Sequence, residues 1–114
     1  MKYKAILIDS VNRKIEEVEV EAGLEDIYKH IGNDCSMFEV ATYLGTDCIY
    51  VDEEGLLKDI VSVFEVNGAH QPFVGNGLVV GSTSEGDSTT PIITVDEIKK
   101  LVSFITPDEL RARY

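Results

Sequence analysis

The sequence predicts an α+β domain built on a mainly antiparallel sheet of about five or six short strands with two or three helices. Three observations carry that prediction. Short segments with two-residue alternation follow one another at hairpin spacing, two stretches repeat their apolar residues at helical spacing, and 114 residues at 44% hydrophobic suffice for one core. The whole chain, 1–114, therefore reads as a single domain. Strands dominate 1–93, interrupted by a helix at 24–31, and 94–114 is a C-terminal helical segment.

KYKAILID (2–9) sets Ile6 and Ile8 on one side and Ala5 and Leu7 on the other, as a strand covered on both faces does. After the turn formers of SVNR (10–13), KIEEVEVE (14–21) puts Val18 and Val20 opposite Glu17, Glu19 and Glu21. This is a half-exposed strand, paired in a hairpin with the first. Beyond Gly23, Leu24, Ile27, Tyr28 and Ile31 form the stripe of a short amphipathic helix that ends at Gly32. MFEVATYL (37–44) and DCIYVD (47–52) flank Gly45-Thr46 as a second hairpin.

LLKDIVSVFEV (56–66) fits a helical turn or a strand, and GLVVGS (77–82) is a strand. In TVDEIKKLVSFI (94–105), Thr94 and Glu97 make a capping box, and Val95, Ile98, Leu101, Val102 and Ile105 share a helical face. Thr106-Pro107 opens a last helix, with proline at its first position.

The net charge is −11 and is unevenly spread. Residues 15–59 hold thirteen acids against Lys29 and Lys58, whereas the remainder balances at eight of each sign. Such a chain repels nucleic acid and anionic membrane and attracts basic partners, although an acidic surface also serves solubility alone. Neither direct nucleic-acid binding nor membrane binding is expected, and self-association is left open. The N-terminal apolar run is too short for a secretory signal, so a cytoplasmic location is expected, with Cys35 and Cys48 as reduced core thiols.

FVGNGLVVGSTSEGD (73–87) suggests a phosphate loop, but its glycines lead into a strand, and no lysine follows. Gly75 and Gly77 read as a bend, Gly81 as a bulge or close approach. His30, Cys35, Cys48 and His70 lack the short spacings of a zinc site, and Asp52-Glu53-Glu54 lacks those of a calcium loop. No catalytic residue, cofactor or metal is expected. Glu17, Glu19 and Glu21 recur about every 6.6 Å along their strand. With Asp52, Glu53 and Glu54 they are the residues a basic protein would meet. The same row also guards an edge strand against aggregation.

The KAILID strand, the LEDIYKHIG helix, the YVDEEGLL turn and a GNGLVVG strand before the TVDEIKKLV helix together resemble the domain-of-unknown-function family 3846, over roughly residues 4–105. Members often carry Asn-Glu-Glu-Gly-Lys at the acidic turn. Here Asp52 comes first and Leu56 follows the glycine, and DIVSVFEV replaces a Pro-Asn segment. The resemblance brings no activity. It implies an accessory protein of a phage or mobile element in a bacterial cytoplasm. The expected function is a non-enzymatic binding module, an inhibitor of a basic host protein. The alternatives are a small-ligand binding or sequestering protein, with a pocket near Gly55 or the 82–90 loop, and a small enzyme.

Overall fold

The computed structural model describes residues 2–32, 35, 37–54, 60, 62–69 and 71–113, the last by its backbone alone. Alternation in 2–21 produces the expected hairpin: β1 (Lys2–Asp9) pairs antiparallel with β2 (Lys14–Glu21) along its whole length. The second hairpin forms around Gly45-Thr46 from β3 (Phe38–Leu44) and β4 (Asp47–Asp52), with a bulge at Ala41. Between the two hairpins lies β7 (Gly77–Ser82), giving the order β2-β1-β7-β4-β3. A two-residue strand, β8 (Ser88–Thr89), pairs with the end of β7 and completes the six-stranded sheet. β5 (Val63–Val66), β6 (Phe73–Val74) and β9 (Val102–Ile105) form a second, three-stranded sheet. The molecule is α+β, as its sequence predicts.

Alternation gives the main sheet two apolar faces. Ile6, Ile8, Ile15, Ile49, Val51 and Val79 pack on one face against Phe64, Val66, Phe73 and Val102 of the second sheet and against Ile98. Ala5, Leu7, Val20, Cys48, Leu78 and Val80 pack on the other against Ile27 and Ile31 of α1 (Glu25–Ile31). β1 and β7 are covered on both sides, hence their nearly continuous apolar sequence.

The helices differ from expectation in two places. Leu24 is the N-cap of α1 and not part of its buried stripe; it is 58% exposed. α2 (Val95–Leu101) starts at the expected capping box but stops at Leu101, and the 102–105 segment is β9, not helix. There Val102 pairs with Val66 and Ile105 with Val63. Two β-branched residues and Phe104 suit a strand, and four ladder pairs with β5 outweigh the helical spacing that sequence periodicity detects. The ambiguous 56–66 stretch yields β5 at its end, while 55–59 and 61 lie outside the described residues. α3 (Pro107–Arg113) opens with the expected proline, and Thr106 and Glu109 cap each other reciprocally.

The glycine-rich stretch is strand, turn, strand. A Cβ on Gly77 would stand 2.8 Å from Phe64 Cζ and 3.1 Å from Ile49 Cγ2, so this glycine lets the second sheet seat on the first. At Gly81 a Cβ would come within 2.7 Å of Thr90 O, which marks a close backbone approach. The Ser10 hydroxyl donates within the cluster of Ser62 Oγ, Gly75 O and Asn76 Oδ1 that ties the bend to the end of β1.

Candidate functional site

Glu17, Glu19 and Glu21 are exposed on the edge strand β2, but they do not stand alone. Register places Lys4 opposite Glu19 and Lys2 opposite Glu21. Both lysines lean one pair along, so that Lys4 Nζ lies 3.6 Å from Glu17 Oε1 and Lys2 Nζ 3.9 Å from Glu19 Oε2. Pairs this exposed contribute at most about 1 kcal/mol each to stability, yet they cancel most of the row's charge. The backbone N–H of Glu21 is taken by Asp26 Oδ2 at 2.8 Å.

The second acidic group sits elsewhere. Glu17, Ile6, Val79 and Ile49 form one row across the sheet, and β1 and β4 both run antiparallel to β7. Asp52 lies three residues beyond Ile49, whereas Glu21 lies four residues from Glu17 in the opposite direction. At about 3.3 Å per residue and about 4.8 Å per strand, Asp52 and Glu21 are about 23 Å apart along the strands and about 14 Å across. Asp52 is buried and accepts the Glu54 N–H, so it is a turn cap and not a surface acid. Of the three, Glu53 is exposed and Glu54 half-buried. The two acidic groups expected to act together are thus not brought together.

A different site emerges at the N-terminal end of β1, on the sheet face opposite the glutamate row. A cleft of about 720 Å³ is walled by the 22–24 segment on one side and residues 83 and 86–90 on the other, with Tyr3 and Tyr50 in its floor. The cleft lies beside the 82–90 loop, one of the two places where a ligand pocket is expected; the other, near Gly55, lies outside the described residues. Both tyrosines project from the sheet face that holds Leu7 and Cys48. Their phenols converge on Ser88, because β8 folds back along β7 and is held to β1 by the Lys4 N–H bond to Thr90 Oγ1 at 3.1 Å. Asp87 is fixed at the loop tip, where its N–H binds Thr83 Oγ1 and its carbonyl accepts from Thr83 N.

Burial pushes the Tyr3 phenol above the ordinary tyrosine range; the Ser88 hydroxyl opposes this, while Tyr50 and the Asp26 carboxylate reinforce it. Burial raises the Tyr50 phenol likewise, again opposed by Ser88. Both are neutral O–H groups at physiological pH. Among the described residues, the fully buried Tyr3 Oη has no partner at hydrogen-bonding geometry, despite the nearby Ser88. An unpaired buried hydroxyl costs on the order of 1–3 kcal/mol, and a ligand oxygen or nitrogen would relieve it.

Cys35 and Cys48 are not joined in a disulfide and pack with the α1 face of the sheet, and burial first of all raises the Cys48 thiol. His30 Nδ1 contacts Asp26 O at 2.7 Å on α1, and His70 lies outside the described residues. Among the described residues, no three His, Cys, Asp or Glu side chains converge as a metal site, and no helix is long and apolar enough to cross a membrane. Sequence reasoning overlooked Tyr3, Tyr50 and Leu24. The available signals were two tyrosines on the apolar side of central strands and a leucine just outside a helix.

A family model described as Domain of unknown function (DUF3846) matches residues 1–103. Neither the curated proteins nor the solved structures contain a match.

Proposed function

The chain belongs to the DUF3846 family, and we propose that it is a non-enzymatic binding module whose ligand occupies the Tyr3–Tyr50 cleft. The observation that carries this is Tyr3 Oη, buried and without a partner among the described residues, in the floor of a cleft of ligand size. Around it are hydroxyls, two aromatic rings, one apolar wall and the charged residues Asp87 and Lys2, which suit holding a molecule in one orientation. The setting we propose is the one the family resemblance implies, an accessory protein of a phage or mobile element acting in a bacterial cytoplasm.

Ser88→Phe fills the cleft and tests the proposal. Screened against a panel of small metabolites by thermal unfolding, the wild type is expected to gain several degrees with at least one, and the filled variant to gain nothing. A panel without effect, or an equal gain in both proteins, would overturn the proposal.

A second function, capture of a basic host protein, is favoured by the exposure of Glu17, Glu19, Glu21 and Glu53 on a chain of net charge −11. Lys2 and Lys4 weaken it, since a partner must displace them from the glutamate row. Partner capture from lysate that survives Glu17→Gln/Glu19→Gln/Glu21→Gln unchanged would remove it.

A further inference from the structure

Of the four asparagines in the chain, Asn67 and Asn76 are each followed by glycine. In that dipeptide no side chain shields the glycine nitrogen, which can attack the carboxamide carbon of the asparagine before it. The fold treats the two pairs in opposite ways.

Asn67 and Gly68 form an exposed turn at the end of β5. Ala69 N–H donates to Val66 O at 3.0 Å, and φ is positive at Gly68 (93°) but not at Asn67, which is a type II turn. Neither the Gly68 N–H nor the Asn67 carboxamide has a hydrogen-bond partner among the described residues. A Cβ built on Gly68 would meet none of them within 4 Å. The extended ψ of a type II turn points the Gly68 nitrogen away from Asn67 Cγ, so attack follows rotation of the peptide between them. That rotation breaks one turn hydrogen bond, and exposed backbone of this kind opens at the low end of local unfolding energies.

Asn76 is held in place. Its Oδ1 accepts the Ser10 N–H at 3.1 Å. Gly77 is buried opposite Ile8 in the ladder of β1 with β7, and a Cβ there would stand 2.8 Å from Phe64 Cζ. Rotating the 76–77 peptide would part the central strands and lift the second sheet from the first.

We propose that Asn67 is a site of spontaneous deamidation, yielding aspartate and isoaspartate, and that the fold protects Asn76. The Gly68 nitrogen gives its proton to hydroxide and bonds to Asn67 Cγ, and the Cγ–Nδ2 bond breaks as ammonia leaves. Water then opens the five-membered imide. Attack at the side-chain carbonyl gives aspartate, and attack at the main-chain carbonyl gives isoaspartate. Either product adds one negative charge to the chain. Isoaspartate also routes the main chain through Cβ and Cγ, which lengthens the turn and removes the Ala69–Val66 bond. The Asn67 N–H bond to Leu101 O, 2.8 Å, lies on the other side of the change and stays. The proposal is independent of any ligand in the Tyr3–Tyr50 cleft.

Tandem mass spectrometry of the full chain, aged in mildly alkaline buffer, tests it. Asn67 is expected to gain about one mass unit, at a rate about tenfold or more above that of Asn76, because an exposed turn opens far more often than a buried ladder. Isoaspartate at 67 is read by enzymatic methyl transfer to its carboxylate. In guanidinium the two sites should react at similar rates, since their local sequence is the same. Asn67→Gln, whose longer side chain would have to close a larger ring, should gain no mass at 67. Equal rates at 67 and 76 in the native chain, reaction at 67 only in guanidinium, or mass gain without isoaspartate would each overturn the proposal.

Discussion

The Asp47 carboxylate, buried at the start of β4, holds the Ile92 backbone N–H with both its oxygens, at 3.1 and 2.9 Å. Asp47 Oδ2 also accepts the Ile93 N–H at 2.8 Å. These bonds anchor the segment that enters α2, and Gly81 must be small because Thr90 and Pro91 pass over it to reach Asp47. Asp47→Ala strips two part-buried amides of their acceptor and should cost about 1–3 kcal/mol in denaturant unfolding. A change below a few tenths of a kcal/mol would show that water replaces the carboxylate without loss.

Gly77→Ala and Gly81→Ala test two close approaches of different kinds. The Gly77 methyl would press on the tip of the Phe64 ring, and the Gly81 methyl on the Thr90 carbonyl. Each should destabilise by about 1–3 kcal/mol, as overpacking does. Gly81→Ala should also move β8 and so change ligand binding in the cleft, whereas Gly77→Ala should not. Identical ligand responses would uncouple β8 from the site.

The raised tyrosines make a statement about alkaline pH. In the unfolded chain Tyr3 and Tyr50 ionise near pH 10, while the folded chain holds them neutral, so above that pH the unfolded state binds fewer protons. Their contribution to stability is complete below pH 10 and falls as pH rises through the folded values. Cys48 acts in the same direction above pH 9. The thermal midpoint should therefore drop between pH 8 and pH 11, and less steeply in Tyr3→Phe/Tyr50→Phe. Parallel curves for the two proteins would contradict this assignment.

Ile98 is fully buried at the interface of α2 with both sheets, whereas Leu101, at the end of α2, is only partly buried against that cluster. Ile98→Asp should abolish cooperative unfolding, because an unpaired carboxylate would enter the core. Leu101→Asp should lower the midpoint without abolishing it. The reverse order, read by thermal melts, would mean that α2 packs by its C-terminal end.

Neutralising Glu17 and Glu19 to glutamine should change stability by less than about 1 kcal/mol, since Lys4 and Lys2 lose only exposed partners. A larger loss in urea unfolding would reveal a coupling across the β1–β2 edge that exposed ion pairs do not supply.

Local pattern by itself determined the class and most of the elements. Alternation and turn residues specify both hairpins, and Thr94 with Glu97 specifies where α2 begins, because these signals act within a few residues of each other. Where α2 ends was decided by tertiary structure. Val102 and Ile105 satisfy helical spacing and strand propensity equally, and only their pairing with Val66 and Val63 selects the strand. The charge picture changed for the same reason. Lys2 and Lys4 lie outside the acidic stretch of sequence, yet strand register sets them across from its glutamates, and sheet order carries Asp52 away from that row. The cleft is not written in any one segment, since Tyr3, Leu24, Tyr50 and Ser88 meet only when β7 and β8 are inserted beside β1. Hydrogen bonds between strands distant in sequence bring such residues together, and composition and spacing carry no record of them.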